Sequence, residues 1–133
     1  MLEVIVYDTH QGFLVERASG RLVYPELRNA VEARAADPEF ENVRWVVTDQ
    51  RDIRDFDLDV SEIRALALKL QEQEHHYHET RWGALVHSPR ATAMTLLFEE
   101  LVGGHLEFRT FTSVEGLLAW IGGPPELAAS LAP

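Results

Sequence analysis

The sequence predicts an α/β domain: a mixed, mostly parallel five-stranded sheet, opened by an N-terminal hairpin and covered by about four helices. Three observations carry that prediction. The stretch Asn42 to Asp52 (NVRWVVTDQRD) contains Val43, Trp45, Val46 and Val47, an apolar run of strand length. A parallel strand covered on both faces reads this way. From there the chain alternates strand-like and helix-like segments, which implies crossovers between parallel neighbours. Its 133 residues suit one domain, enough to bury a core without disulfides or metal.

Leu2 to Tyr7 reads as the first strand, Asp8-Thr9-His10-Gln11-Gly12 as a turn and Phe13 to Ala18 as the second strand. Ser19-Gly20 reads as a break. Pro25 fits a first helical position, and Leu27, Ala30, Val31 and Arg34 form one stripe of a helix to about Ala36. Asp37-Pro38 ends it, because the residue before proline disfavours the α conformation. Strand three is Val43 to Thr48, followed by a charged loop, Arg51 to Val60. Ser61 or Asp59 caps the next helix, which runs to about His78 with a stripe of Ile63, Leu66, Ala67, Leu70 and Tyr77. Glu74 falls on that stripe, with Arg81 as its expected neutraliser.

Strand four is Arg81 to Val86, where Gly83 and Ala84 allow close helix approach. Ser88-Pro89 starts a helix to about Val102, ended by Gly103-Gly104. Leu106 to Thr112 is strand five. Its charged Glu107 and Arg109 share one face, which suggests an edge strand. Ser113 caps a last short helix with Leu117, Leu118 and Ile121. The domain thus spans 1–121. After Gly122-Gly123-Pro124-Pro125, the alanine-rich segment 122–133 is a candidate mobile tail.

Composition narrows the function classes. Apolar residues make up 46% and charged residues 26%, with a formal net charge of −10. An acidic chain is a poor partner for nucleic acid and anionic membranes. The absence of cysteine removes disulfides, thiol nucleophiles and cysteine-held zinc. No apolar run approaches a membrane span and the N-terminus has no basic region of a signal peptide, so cytoplasm is the expected location.

Several pieces in order resemble a known family: Gly20-Arg21-Leu22, Asp37-Pro38-Glu39-Phe40, Val46-Val47-Thr48-Asp49 with Arg51, Arg81-Trp82-Gly83-Ala84-Leu85-Val86, Arg109-Thr110-Phe111, and Glu115 through Ala119-Trp120-Ile121. Together they resemble the SpoIIAA-like branch of the STAS domains, which is also similar to the Sec14/CRAL-TRIO lipid-binding fold. The resemblance covers roughly residues 1–121 and implies a small STAS-like sandwich with a mostly parallel sheet. It implies little about activity, since members of this branch are mostly uncharacterised. STAS anti-sigma-factor antagonists carry an Asp-Ser-Ser/Thr-Gly run after the third strand, with a phosphorylated serine. Here that place reads Thr48-Asp49-Gln50-Arg51-Asp52. Ser61 lies among Asp57, Asp59 and Glu62, where a phosphate would meet like charge.

Three candidate sites stand out. At the expected carboxyl edge of strands three to five, Asp49, Gln50, Arg51, His87, Ser88, Thr112 and Ser113 offer the ingredients of a small polar or anionic pocket. The plainer explanation is that Ser88 and Ser113 are helix caps while Asp49 and Arg51 pair locally. A Ser-His-Asp reading of Ser88, His87 and Asp49 fails on geometry, because neighbouring strand residues point to opposite faces. In the second, His75 and His78 share helical spacing that suits a metal, but histidines also suit a helix C-terminus. No second ligand cluster accompanies them, so no metal and no cofactor is expected. In the third, Leu96 lies off the stripe of Met94, Leu97, Phe98 and Leu101, with Thr95 also outside it. With Trp120, Leu96 is a candidate homodimer patch.

The reading that follows is a non-enzymatic STAS-like binding or regulatory module acting through protein contacts. The alternative is a carrier or sensor of a small or apolar molecule. An unrecognised enzyme comes third, since no nucleophile elbow or glycine-rich phosphate loop is present. A carrier needs an enclosed apolar cavity, whereas a partner module needs only a surface patch.

Overall fold

The first two strands form the predicted hairpin in the computed structural model, which describes residues 1–131. Strand β1 is Leu2–Asp8 and β2 is Phe13–Val23, paired antiparallel. The Asp8 carboxylate closes the turn by accepting the amides of His10 at 3.0 Å and Gln11 at 2.8 Å. Gly12 is required there. Its φ is +81°, and a Cβ would meet the Asn42 carbonyl oxygen at 2.7 Å.

Helix α1 (Tyr24–Ala36) follows, then a 3-10 turn (Pro38–Asn42), β3 (Trp45–Asp57) and α2 (Val60–Glu72). A second 3-10 turn (Glu74–Tyr77) leads into β4 (Arg81–Leu85), α3 (Pro89–Val102), β5 (Glu107–Phe111), α4 (Val114–Ile121) and α5 (Pro125–Ala129). The sheet order is β1-β2-β3-β4-β5, and β2 to β5 run parallel. Local chemistry sets the helix starts. Asp59, rather than Ser61, caps α2: its carboxylate accepts the Glu62 amide at 2.8 Å, and the Glu62 carboxylate accepts the Asp59 amide at 3.1 Å. This reciprocal pair satisfies two otherwise orphaned donors.

Two apolar layers flank the sheet. On one side α1, α2 and α3 bury Val31, Ile63, Leu66, Leu70, Phe98 and Val102 against Leu14, Val46 and Trp82. On the other, α4 and α5 bury Leu117, Ile121 and Leu127 against Phe13, Val15 and Val47. Gly83 permits the second contact, since a Cβ there would lie 2.2 Å from Leu117 Cδ1.

Several sequence expectations need correction. Strand three does not stop at Thr48. It continues to Asp57, and its far half, after Asp49, pairs only with β2, because β4 ends opposite Asp49. Ile53 and Phe56 point inward while Arg54, Asp55 and Asp57 are exposed, so a charged outer face disguised a half-buried strand as a loop. Ser19-Gly20 bends β2 through register shifts without ending it. The long helix expected to His78 stops at Glu72. Glu74 therefore leaves the apolar stripe, lies exposed and pairs with His105 at 3.3 Å, while Arg81 pairs with Glu107 at 3.2 Å. On α3 the buried stripe is Ala91, Thr95, Phe98 and Val102, so Thr95 faces inward and Met94, Leu97 and Leu101 flank it. Beyond Ile121, read as a candidate mobile tail, the chain forms α5 and buries Leu127 and Leu131. The last residues, 132 and 133, lie outside the described ones.

Candidate functional site

The residues predicted at the carboxyl edge of the sheet do not converge on one pocket: Arg51 lines an open surface depression of about 560 Å³ with Ser19, Gly20, Asp52, Ile53 and Arg54, and Asp49, His87, Ser88 and Ser113 do not line it. Asp49 is 2% exposed and faces the α4–α5 side. Arg51 grips it twice, Nε to Oδ1 at 3.0 Å and Nη2 to Oδ2 at 2.9 Å, and Arg17 Nε stands 3.5 Å away. Burial pushes the Asp49 carboxyl up, but the Arg51 hydrogen bonds and charge outweigh it and hold the group below its ordinary value. Arg51 Nη2 also donates to the Leu131 carbonyl at 3.1 Å. The guanidinium thus ties β3 to the end of the chain, the local pairing that the sequence offered as the plainer explanation. Ser88 caps α3 by accepting the Ala91 amide at 3.2 Å, and Ser113 caps α4 by accepting the Gly116 amide at 3.1 Å. His87 is exposed. No hydrogen bond among the described residues links His87, Ser88 or Ser113 to Asp49 or Arg51.

The other candidates are dispersed. His75 lies in the 3-10 turn with its ring 4.0 Å from that of His76, and His78 stands 3.9 Å from Glu79. Among the described residues no group of three histidines or carboxylates is arranged to hold a metal ion. Leu96 is 47% exposed on α3. Trp120 lies on α4, under the guanidinium groups of Arg81 at 5.6 Å and Arg109 at 6.0 Å, and packs on Phe111.

Two features escaped the sequence reading. The first is a buried polar cluster under α1. Arg34 Nη2 donates to Glu16 Oε1 at 2.5 Å, Thr48 Oγ1 donates to the same oxygen at 2.8 Å, and Trp82 Nε1 donates to Thr48 Oγ1 at 3.0 Å. Arg34 also lies 4.7 Å over the Trp82 ring. Burial disfavours its charge, but Glu16 more than restores it, so Arg34 stays protonated. Beside the cluster is a cavity of about 40 Å³, lined by Leu27, Phe56, Ile63, Leu66, Phe98 and Phe108 among others. It holds roughly three water molecules, far short of a small-molecule site.

The second is a groove of about 250 Å³ between α1 and β1, lined by Val4, Tyr7, Leu14, Ala30, Ala33 and Phe40 with Asp37 at one end. The register shift between Val4 and Val6 creates it. Residues three apart on a regular strand face opposite ways, but one extra residue turns Val4 and Tyr7 to the same side. Val4 is 60% exposed and Tyr7 37%. The Tyr7 hydroxyl donates to Asp37 Oδ2 at 2.6 Å, and partial burial together with that bond pushes the phenol pKa up. The only sequence signal was the alternation within LEVIVYD, which does not reveal a bulge.

No family model matches the chain, and no curated protein matches it in sequence. Among solved structures it is similar to the crystal structure of an uncharacterised DUF3478-family protein with a SpoIIAA-like fold from Shewanella loihica PV-4. The two share 17% identity over 90% of this chain and 93% of that one, with a TM-score of 0.53. The chain has a SpoIIAA-like fold.

Within this SpoIIAA-like fold, the segment that departs from the phosphoserine motif lies inside β3 rather than in a loop. Gln50 is buried against the core under α1 and Asp49 is held by two arginines. No helix of the described residues is long and apolar enough to cross a membrane.

Proposed function

We propose that this SpoIIAA-like domain is a non-enzymatic binding module that acts through contact with another polypeptide, made along β1 and the groove between β1 and α1. The observation that carries this reading is the groove itself. It is apolar, open to solvent, and bordered by an edge strand carrying Val4 and Tyr7. Exposed apolar surface beside an unpaired strand is how recognition surfaces are commonly built. At the carboxyl edge, by contrast, Asp49 and Arg51 already satisfy each other. The carrier reading is weaker because the interior cavity, about 40 Å³, is small for a ligand.

The test is an affinity comparison with a polypeptide partner purified on the wild-type chain. Val4→Asp and Ala33→Glu, both at exposed positions, weaken binding about ten-fold or more, a loss of about 1.4 kcal/mol. Leu96→Asp and Arg51→Ala leave it unchanged. Loss on Leu96→Asp or Arg51→Ala alone would move the site to α3 or to the carboxyl edge.

A further inference from the structure

Resting on that reading, we propose that the groove's occupant is an extended segment of a different protein, with small apolar side chains flanked by basic ones, added to β1 as a sixth strand. A glutamate of a neighbouring helix caps one amide on each edge strand of the sheet, but at different places. On β5, Glu99 of α3 accepts the Thr110 amide at 2.6 Å, near the middle of the strand's far half. On β1, Glu26 of α1 accepts the Leu2 amide at 3.0 Å, at the strand's first residue, and among the described residues no side chain hydrogen-bonds to the backbone of residues 3–7. An unblocked stretch of edge is a template for another strand. The longer clear stretch is on β1, and with the apolar groove beside it this points to pairing there.

The groove sets the size of the incoming side chains. Two alanines of α1, Ala30 and Ala33, form its helical wall and leave room opposite Val4 and Tyr7. A strand laid on β1 would direct alternate side chains into that space, where β-branched or other small apolar residues fit.

Charge selects among the possible occupants. Asp37 stands in the groove wall, and Glu39 and Glu41 are exposed on the adjoining turn. The one cation in the lining, Arg34, is already neutralised by Glu16. A second copy would bring the same carboxylates face to face on a chain of net charge −10, and like charges across an interface disfavour it. Lysine or arginine beside the small apolar residues complements the rim instead.

The experiment is selection of random short peptides displayed against the intact chain, followed by binding of the chosen sequences as synthetic peptides. The expected sequences alternate β-branched or small apolar residues with lysine or arginine. They bind about ten-fold more weakly at high salt, about ten-fold more weakly to Val4→Arg or Ala33→Arg, and not at all when alternate peptide amides are N-methylated. Acidic or helix-forming peptides that are still lost on Val4→Arg would overturn the inference while sparing the binding module. Peptides indifferent to both variants would overturn the module's placement as well. A dimer in sedimentation that Val4→Arg dissolves would name a second copy as the occupant and also overturn the inference, as would failure to enrich any sequence.

Discussion

Glu16 and Arg34 are the pair whose separation the fold tolerates least. Both are buried, and each is the other's charge partner. Removing one leaves an uncompensated charge in the core, which costs about 3–5 kcal/mol, whereas replacing both with apolar residues of similar size is close to neutral. Glu16→Ala and Arg34→Ala are therefore each expected to lower the urea midpoint steeply, and Glu16→Leu with Arg34→Met to restore most of it. Arg51 presents a milder case with a pH signature. Asp49 in the fold sits below its ordinary value of 3.8. Its contribution is present above that value and is lost as pH falls through the depressed one. Arg51→Ala should cost about 1–2 kcal/mol at neutral pH, with the gap to wild type closing in acid; a gap constant from neutral to acid pH would contradict it. The place of Arg34 on the stripe of α1 was legible in the sequence. Its partner was not, because Glu16 lies on β2, and only pairing of β2 beneath α1 brings the two together.

At the scale of elements, the strand and helix order was legible because each start carries its own chemistry: Pro25, Ser88-Pro89 and Ser113 all begin helices. The far half of β3 was not, since Arg54, Asp55 and Asp57 outnumber Ile53 and Phe56, and a register shift against β2 sets those two inward residues three apart rather than two. The end of the chain was misread for the opposite reason. Its alanines suggest little packing, yet Leu127 and Leu131 are fully buried. Deleting residues after Gly123 should cost about 3–6 kcal/mol, from two buried leucines at about 1.5–3 kcal/mol each. Unchanged thermal unfolding of the shortened chain would show that α5 does not contribute to the fold. Gly83→Ala tests the contact beside it. The added Cβ collides with Leu117, and overpacking of this kind costs about 1–3 kcal/mol.

At the scale of the whole molecule, a helix glutamate caps one amide on each edge of the sheet, and the apolar groove lies beside β1, where residues 3–7 are left clear. The candidate positions taken from sequence concentrated at the carboxyl edge of the sheet, where loops were expected to converge. Once β3 continued past β4, Asp49 and Arg51 became internal bracing, and Ser88 and Ser113 became caps. The central claim is that a polypeptide is recognised along β1 and α1. The most direct measurement is site-specific photocrosslinking in living cells, with benzoylphenylalanine placed one position at a time at Val4, Ala33, Arg51 and Leu96. The account predicts a discrete protein adduct from positions 4 and 33 and none from 51 or 96. Adducts from 51 or 96, with positions 4 and 33 silent, would contradict it.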